Sequence, residues 1–492
     1  MRLHTAAGAA CALLLLTTNV AAQPESLVAT NQSIVVNGAP LRYTAQIGRI
    51  PIKDAESGEP HGYMGFIAYR VPTRGAARPV TFLWNGGPGA NSALLHFEAV
   101  GPRRIENGRL VDNQETVLTA TDLVFVDPIG TGFSRPAKPE YGAEFYQTNG
   151  DVRSVTEFVR AWRLLFDATD APLFVGGESW GSGRAAAVAL GLERMGVRVR
   201  GTILISGGTA LRTSALPREL ALAHRVLQVV PTALYHGRLS PDLGKDTAAI
   251  HAQIRRWATH TYAPALARVD SLTDAGRDSI ARQLSRFTGF PVDRIDRKTL
   301  QITPRQLLTG YFGAEGKTLN TFDMRRTSGD ADSGSAAAIE RYLRRDLGYR
   351  TDLQYIGLGG ASFAQGYSPT GTPPRSVGAR WDYFSGTVSA DSAAVLIRAA
   401  AARGGGPPGP PRDPATSLAL ELNPALRVHI AGGNFDSLNN CEATHEQLRR
   451  LEAKVRANIT YRCYVGGHMF YRDAESRRQF SADIRALVTS AR

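Results

Sequence analysis

The sequence predicts an α/β fold in which a central, mostly parallel sheet flanked by helices is interrupted by a long helical insertion. Short unbroken apolar runs end in glycine-rich loops at Pro79–Trp84 and near Asp122–Val126, and Gly201–Ser206 is another, as expected of parallel strands buried on both faces. The run Ala171–Gly176 leads directly into Gly177-Glu-Ser179-Trp-Gly181, a Gly-x-Ser-x-Gly pattern in which a strand turns sharply into a helix and projects the serine hydroxyl from the sheet. About two hundred residues lie between the helix of this turn and the later strand-like run Leu426–Ala431, far more than a single crossover needs.

Taken in order, residues 1–22 carry Arg2, the apolar stretch Ala9–Leu16 and Val20-Ala21-Ala22, the arrangement of a secretory signal cleaved near Ala22. The apolar part is too short to span a bilayer, and no later stretch approaches membrane length, so the mature chain is expected to be exported, periplasmic or secreted, without membrane insertion. Ser33–Pro72 alternates apolar and polar residues, with turn signals at Asn37-Gly38 and Ser57-Gly58, as in antiparallel hairpins. Residues 23–206 are expected to form the first part of the core and 416–492 the second. Between them, 207–415 reads as a cap, helical over Leu216–Val230 and Asp246–Phe287, with a Gly/Pro-rich return linker at 404–411. The cluster Asp330–Gly334 lacks the remaining ligands of a calcium loop and reads as a surface turn.

Composition narrows the function. The net charge is +13, but the basic residues are scattered and only six of the 57 are lysine, which describes an arginine-rich solvated surface and not a nucleic-acid groove. Cys11 lies inside the signal. Cys441 and Cys463 remain, and a disulfide and two free buried thiols are both open. His445-Glu446 begins like a metalloprotease motif, but Arg449 stands where the second histidine belongs, so no zinc site follows.

The chemistry-bearing residues come in a telling order. Ser179 is followed by Asp436, just after Leu426–Ala431, and then by His468, just after Ile459–Val465; Ser, Asp, His is the chain order of a triad on an α/β-hydrolase fold. A serine hydroxyl becomes nucleophilic when a histidine takes its proton, and that histidine must be held in one tautomer by a carboxylate. Asp382 is the one rival considered for the acid, and it lacks a preceding strand. The loop Trp84–Ser92 follows a buried strand, where backbone N–H groups could face a reacting carbonyl.

Trp84-Asn-Gly-Gly-Pro-Gly89, Phe97-Glu98 ahead of Gly101-Pro102, Gly130-Thr-Gly-Phe-Ser134, Gly177-Glu-Ser-Trp180 and Gly467-His-Met469 occur in this order, and together the chain resembles the serine carboxypeptidase family over nearly the whole mature length. The resemblance implies a carboxypeptidase that releases the last residue of peptides through an acyl-enzyme at acidic pH, with no metal or organic cofactor. It implies Ser179 as nucleophile, His468 as base and acid, and Asp436 as the orienting group. The backbone N–H groups of Gly87 and Trp180 would form the oxyanion hole. Asn85, Glu98 and Glu178 would hold the substrate's terminal carboxylate, the two glutamates sharing a proton. Trp180, Ser182 and Leu83 depart from the usual tyrosine, glycine and tryptophan, which bears on pocket shape. An esterase or acyltransferase using the same triad is the alternative, and a silent binding protein would be expected to lack a triad member. His96 is expected to pack beside Glu98, and Tyr235-His236-Gly237 to shape the cap. Asn31-Gln-Ser33 and Asn458-Ile-Thr460 fit glycosylation acceptors. Whether the chain forms a homodimer is left open.

Overall fold

The computed structural model describes residues 25–213, 216–328, 335–357, 376–386, 388–402 and 413–491. The expected signal at 1–22, the Asp330–Gly334 cluster and the linker 404–411 lie outside the described residues. Twelve strands are found among the described residues: β1 Glu25–Val36, β2 Ala39–Lys53, β3 Pro60–Arg70, β4 Val80–Trp84, β5 Arg103–Glu106, β6 Arg109–Asp112, β7 Asp122–Asp127, β8 Arg135–Pro136, β9 Leu173–Glu178, β10 Val199–Ile205, β11 Arg427–Gly433 and β12 Ile459–Tyr464. Ten of them form one sheet in the order β1-β2-β3-β7-β4-β9-β10-β11-β12, with β8 beside β3, while β5 and β6 make a separate hairpin. The early strands pair antiparallel, and every pairing from β7 to β12 is parallel. This is the α/β-hydrolase arrangement, with the serine turn after β9.

Why the central strands read as unbroken apolar runs is visible in the packing. In β4, Phe82 and Trp84 belong to the cluster on one face of the sheet and Leu83 to the cluster on the other; in β7, Val124 and Val126 part from Leu123 and Phe125 in the same way. Side chains alternate faces at every residue, so a strand covered on both sides must be apolar throughout. The helices Thr148–Leu165 and Trp180–Arg194 cover the first face through Phe158, Trp162, Ala185 and Val188. Ala474–Ser490 covers the second through Phe480, Ile484 and Val488. Truncating a ring such as Phe82 in this setting costs about 3–5 kcal/mol.

Register then places the site. Trp84 pairs with Gly177, Glu178 with Ile205, Ile205 with Ala431, and Gly433 with Tyr464, so β4, β9, β10, β11 and β12 end close together at one edge. The loops that follow them share that edge.

The segment 207–415 is not uniform. Its helices Arg218–Tyr235, Thr247–Trp257 and Asp274–Thr288 close on a core of their own, with Leu227, Val230, Ile254, Leu284 and Phe287 at its centre. Local signals mark the ends: the Asp246 carboxylate accepts from the N–H groups of Ala248 and Ala249, the Thr273 hydroxyl accepts from Gly276, and Gly289 closes the last helix at φ 67°. Ile339, Tyr342, Leu343, Tyr349 and Tyr355, however, pack into the sheet's own core, and Val377 and Trp381 join the cluster on the opposite face. Cys441 and Cys463 form a disulfide, with Cα atoms 5.9 Å apart, which ties the helix after β11 to β12. Among the described residues no helix is long and apolar enough to cross a membrane.

Candidate active site

Ser179 caps the helix Trp180–Arg194 and adopts φ 59°, ψ −124°, a conformation in which a non-glycine residue is strained by about 1–3 kcal/mol. Its surroundings impose it. The Ser179 N–H donates to the carbonyl of Ile205 at 2.8 Å, continuing the sheet pairing by one residue before the chain turns. A Cβ on Gly177 would lie 2.1 Å from the Gly181 carbonyl oxygen, and one on Gly181 would lie 2.8 Å from that of Asn85, so the two glycines of the motif let the chain pass close to itself. The Trp84 indole donates to the Gly181 carbonyl at 2.9 Å and fixes the turn against β4.

Asp436 and His468 meet at the same edge, buried and joined by a 2.7 Å contact between Asp436 Oδ2 and His468 Nδ1. The carboxylate also accepts from the Leu438 N–H and the Asn439 side-chain amide, each at 2.8 Å. An ionised carboxylate only accepts, so Nδ1 carries the proton of the neutral ring and Nε2 is its acceptor. Burial pushes the His468 pKa down, but the Asp436 hydrogen bond and charge, with the charge of Glu178, outweigh it and the net shift is upward. Nε2 is buried and has no hydrogen-bond partner among the described residues, so a Ser179–His468 hydrogen bond is not made here. His468 is anchored through its backbone, its N–H donating to the Phe322 carbonyl and its carbonyl accepting from the Ser206 hydroxyl at 2.7 Å. The Gln228 amide, from the insertion, donates to the carbonyls of Asp436 and Asn439 at 2.6 and 2.9 Å.

The loop after β4 lies against the serine turn. A Cβ on Gly86 would come within 2.5 Å of the Trp180 nitrogen and 2.6 Å of the Glu178 carbonyl oxygen, and Gly87 takes φ 100°. Arg184 clamps the two segments together: buried, it donates to Asp151 at 2.6 Å and to the Asn85 carbonyl at 2.8 Å.

Residues 58–188, which hold β3, β4, β7, β9, the Gly86–Gly89 loop and Ser179, match the family model described as serine carboxypeptidase. Over that stretch the chain is similar to the serine carboxypeptidase family. It is 34% identical over 110 residues, 21% of this chain, to a pheromone-processing carboxypeptidase KEX1 of Ajellomyces capsulatus, and 43% identical over 61 residues, 12% of this chain, to that of Verticillium alfalfae. The aligned parts span 17% and 10% of those proteins' own length. Among solved structures, the prohormone-processing carboxypeptidase Kex1(Δ)p from Saccharomyces cerevisiae aligns over 91% of this chain and 90% of its own, with 13% identity and a TM-score of 0.44.

Asn85, Glu98 and Glu178, which the resemblance singles out, lie beside the serine turn. The Asn85 amide donates to Glu178 Oε2 at 2.8 Å, its own oxygen accepts from the Leu95 N–H, and the Tyr471 hydroxyl donates to the same Glu178 oxygen at 2.6 Å. Burial pushes the Glu178 pKa up to about 7, with the charge of Glu98 adding to it, while His468, the Tyr471 hydrogen bond and Arg472 oppose it. Glu98, in the π-helical turn Leu95–Val100, makes a two-point contact with Arg472, Oε2 to Nε at 2.6 Å and Oε1 to Nη2 at 3.2 Å.

Glu178 bonds to Asn85 and Tyr471, whereas Glu98 bonds to a guanidinium. The reason is chemical, since a permanently charged planar fork is a stronger partner for a carboxylate than a second carboxyl group. Tyr471 and Arg472 were not singled out in the sequence. Their signal was available, as polar types three and four positions beyond His468, in the turn Phe470–Arg472 that the strand-end histidine leads into. Arg472 also lines a cavity of about 110 Å³ with Phe322, Asp323, Arg326, Gly467 and Met469, and the Phe322 ring lies 5.5 Å from the His468 ring.

Residues with structural explanations keep them. His96 is buried between Phe97 and Phe125 and bonds the Tyr69 hydroxyl at 2.7 Å. Asp382 accepts from the N–H groups of Phe384 and Gly386, and His236 contacts the Met324 carbonyl at 2.8 Å.

Proposed function

We propose that this protein is a serine-type carboxypeptidase that removes the C-terminal residue of peptides through an acyl-enzyme. The single observation that supports it most is a buried Asp436–His468 pair with an unoccupied Nε2 acceptor at the sheet edge where strained Ser179 turns. Ser179 Oγ attacks the last peptide carbonyl while its proton passes to His468 Nε2. Asp436 holds the ring in the required tautomer and stabilises the imidazolium. The backbone N–H groups of Gly87 and Trp180 receive the developing oxyanion. His468 then returns the proton to the leaving amine, and water repeats the cycle on the acyl-enzyme.

Asn85, Glu178 and Glu98 stand where the substrate's free carboxylate would arrive. A carboxylate is received by a protonated Glu178 and repelled by an ionised one, so cleavage of free acids falls as pH rises through about 7. On the acid side, activity falls when His468 is protonated, at a pH set by its raised pKa. The two titrations are linked: once Glu178 is neutral, one of the charges that raise His468 is gone. Operation close to neutral pH follows, less acidic than two glutamates sharing a proton would give.

Residues 1–22 act as an export signal in this reading, and the Cys441–Cys463 disulfide supports an oxidising compartment such as the periplasm or the exterior. The test is hydrolysis of an N-blocked dipeptide and its C-terminal amide between pH 5 and pH 8, with products identified by mass spectrometry. Preference for the free acid is expected. Equal cleavage of the amide at every pH would replace this reading with an esterase or acyltransferase.

A further inference from the structure

We propose that Gln228 is a positioning residue through which the insertion sets Asp436 against His468; this rests on the triad of the carboxypeptidase reading. Asp436 lies three residues beyond the end of β11, where sheet pairing no longer holds the chain. Its loop is held by the insertion instead. Gln228 Nε2 donates to the carbonyls of Asp436 and Asn439 at 2.6 and 2.9 Å, and the Asn440 amide donates to the His224 carbonyl at 3.0 Å. His224 and Gln228 are four residues apart in the helix Arg218–Tyr235 and so stand on one face of it. A glutamine suits the place, because one amide nitrogen carries two donors and can satisfy two carbonyls at once.

Asn439 links that contact to the carboxylate. Its side-chain amide donates to Asp436 Oδ2 and to the Ser206 carbonyl, both at 2.8 Å, while its own carbonyl accepts from Gln228. Asp436 Oδ2 is the atom 2.7 Å from His468 Nδ1. A path of hydrogen bonds thus runs from Gln228 through Asn439 to the oxygen that holds the imidazole. A second segment of the insertion braces the same loop: the Thr321 carbonyl accepts from the Ser437 hydroxyl at 2.7 Å, and the Met324 N–H donates to the Phe435 carbonyl at 2.9 Å. Between these two holds, Gln228 is the side chain that reaches the backbone of Asp436 itself.

The test joins kinetics to a signal that needs no substrate. Gln228→Met keeps the side chain's length and helix preference and removes both donors. It is expected to lower kcat by about 10-fold on an N-blocked dipeptide and on an activated ester alike, with KM little changed. Added to Asp436→Asn, it should cost less than about 2-fold more, because a residue that acts through Asp436 then has nothing left to position. The proton between Asp436 and His468 should give a downfield proton NMR resonance in the wild type, absent from Asp436→Asn and shifted upfield in Gln228→Met. The pH profile carries the same sign: Asp436 and Glu178 raise the His468 pKa against burial, so a loosened Asp436 moves the acid limb of kcat to lower pH. A residue that only packs the helix would lower the thermal midpoint and move neither the resonance nor the limb. An unmoved resonance with an unchanged acid limb, or losses that add fully in the double variant, overturns the proposal. Should Gln228→Met fail to fold, the same readings on Gln228→Glu decide it, since an ionised carboxylate cannot donate. A wild type that hydrolyses the ester but not the peptide removes the carboxypeptidase reading, while the resonance and the ester rates still test Gln228.

Discussion

Ser179, Asp436 and His468 follow β9, β11 and β12, strands whose ends are brought together by backbone pairing, whereas Glu98 and Arg472 meet across 374 positions with neither residue on a strand. The first group is located by the sheet. Register is set by hydrogen bonds that almost any side chain permits, so these three residues can stay in place while the surface around them changes. The second group is located by side-chain chemistry, as the pairing of Glu98 with Arg472 shows, and one substitution is expected to be able to rewire it. Reaction and recognition are thus expected to separate experimentally.

The largest effects should come from the sheet-positioned group and should fall on every substrate alike. Ser179→Ala and His468→Ala are expected to reduce kcat by about 10⁴-fold or more for both the blocked dipeptide and the activated ester, with circular dichroism unchanged. Retention of more than about one thousandth of the wild-type rate would remove Ser179 as nucleophile. Asp436→Asn should cost about 10³- to 10⁴-fold, because the Asn439 amide and Leu438 N–H contacts can hold the loop while the ring loses its tautomer. A rate near wild type would point to another acid.

A stability effect comes next. Arg184→Met leaves Asp151 buried without its cation, and breaking such a pair costs about 3–5 kcal/mol. The thermal midpoint should drop, and Asp151→Leu added to it should recover much of the loss. Were the single variant as stable as wild type, the clamp between the serine turn and the Asn85 loop would have no energetic weight.

The smallest expected effect separates the two groups most directly. Glu178 has a folded-state pKa raised by burial to about 7, so between the unfolded value and 7 the native state binds the extra proton and stability declines as pH rises. Glu178→Gln removes that titration. It should raise the melting temperature at pH 8 relative to wild type, change it little at pH 5, and flatten the alkaline decline of kcat/KM on free acids while the ester profile keeps its shape. Identical pH profiles for acid and ester in both proteins would erase the proposed division between reaction and recognition.

Much of the frame was legible in the sequence because it is written in local patterns. Continuous apolar runs mark strands covered on both faces, Gly177 and Gly181 mark a chain that crosses itself, and the spacing of Asp436 and His468 behind later runs puts both at strand ends. The disulfide was not legible, since Cα separation depends on how the helix after β11 docks on β12. Nor was the division of 207–415, where apolar spacing announces helices but not whether Leu227 or Tyr342 will face the insertion's own core or the sheet's.

What the sequence alone determined is the placing of Ser179, Asp436 and His468 just beyond the ends of β9, β11 and β12, each set by residues next to it in the chain. What only the tertiary structure decided is pairing between side chains far apart, Glu98 with Arg472, Glu178 with Tyr471, Arg184 with Asp151. The physical reason is that hydrophobic period and turn chemistry act over a few residues, whereas a buried charge selects among every partner that folding brings within reach, and that choice exists only once the sheet has closed.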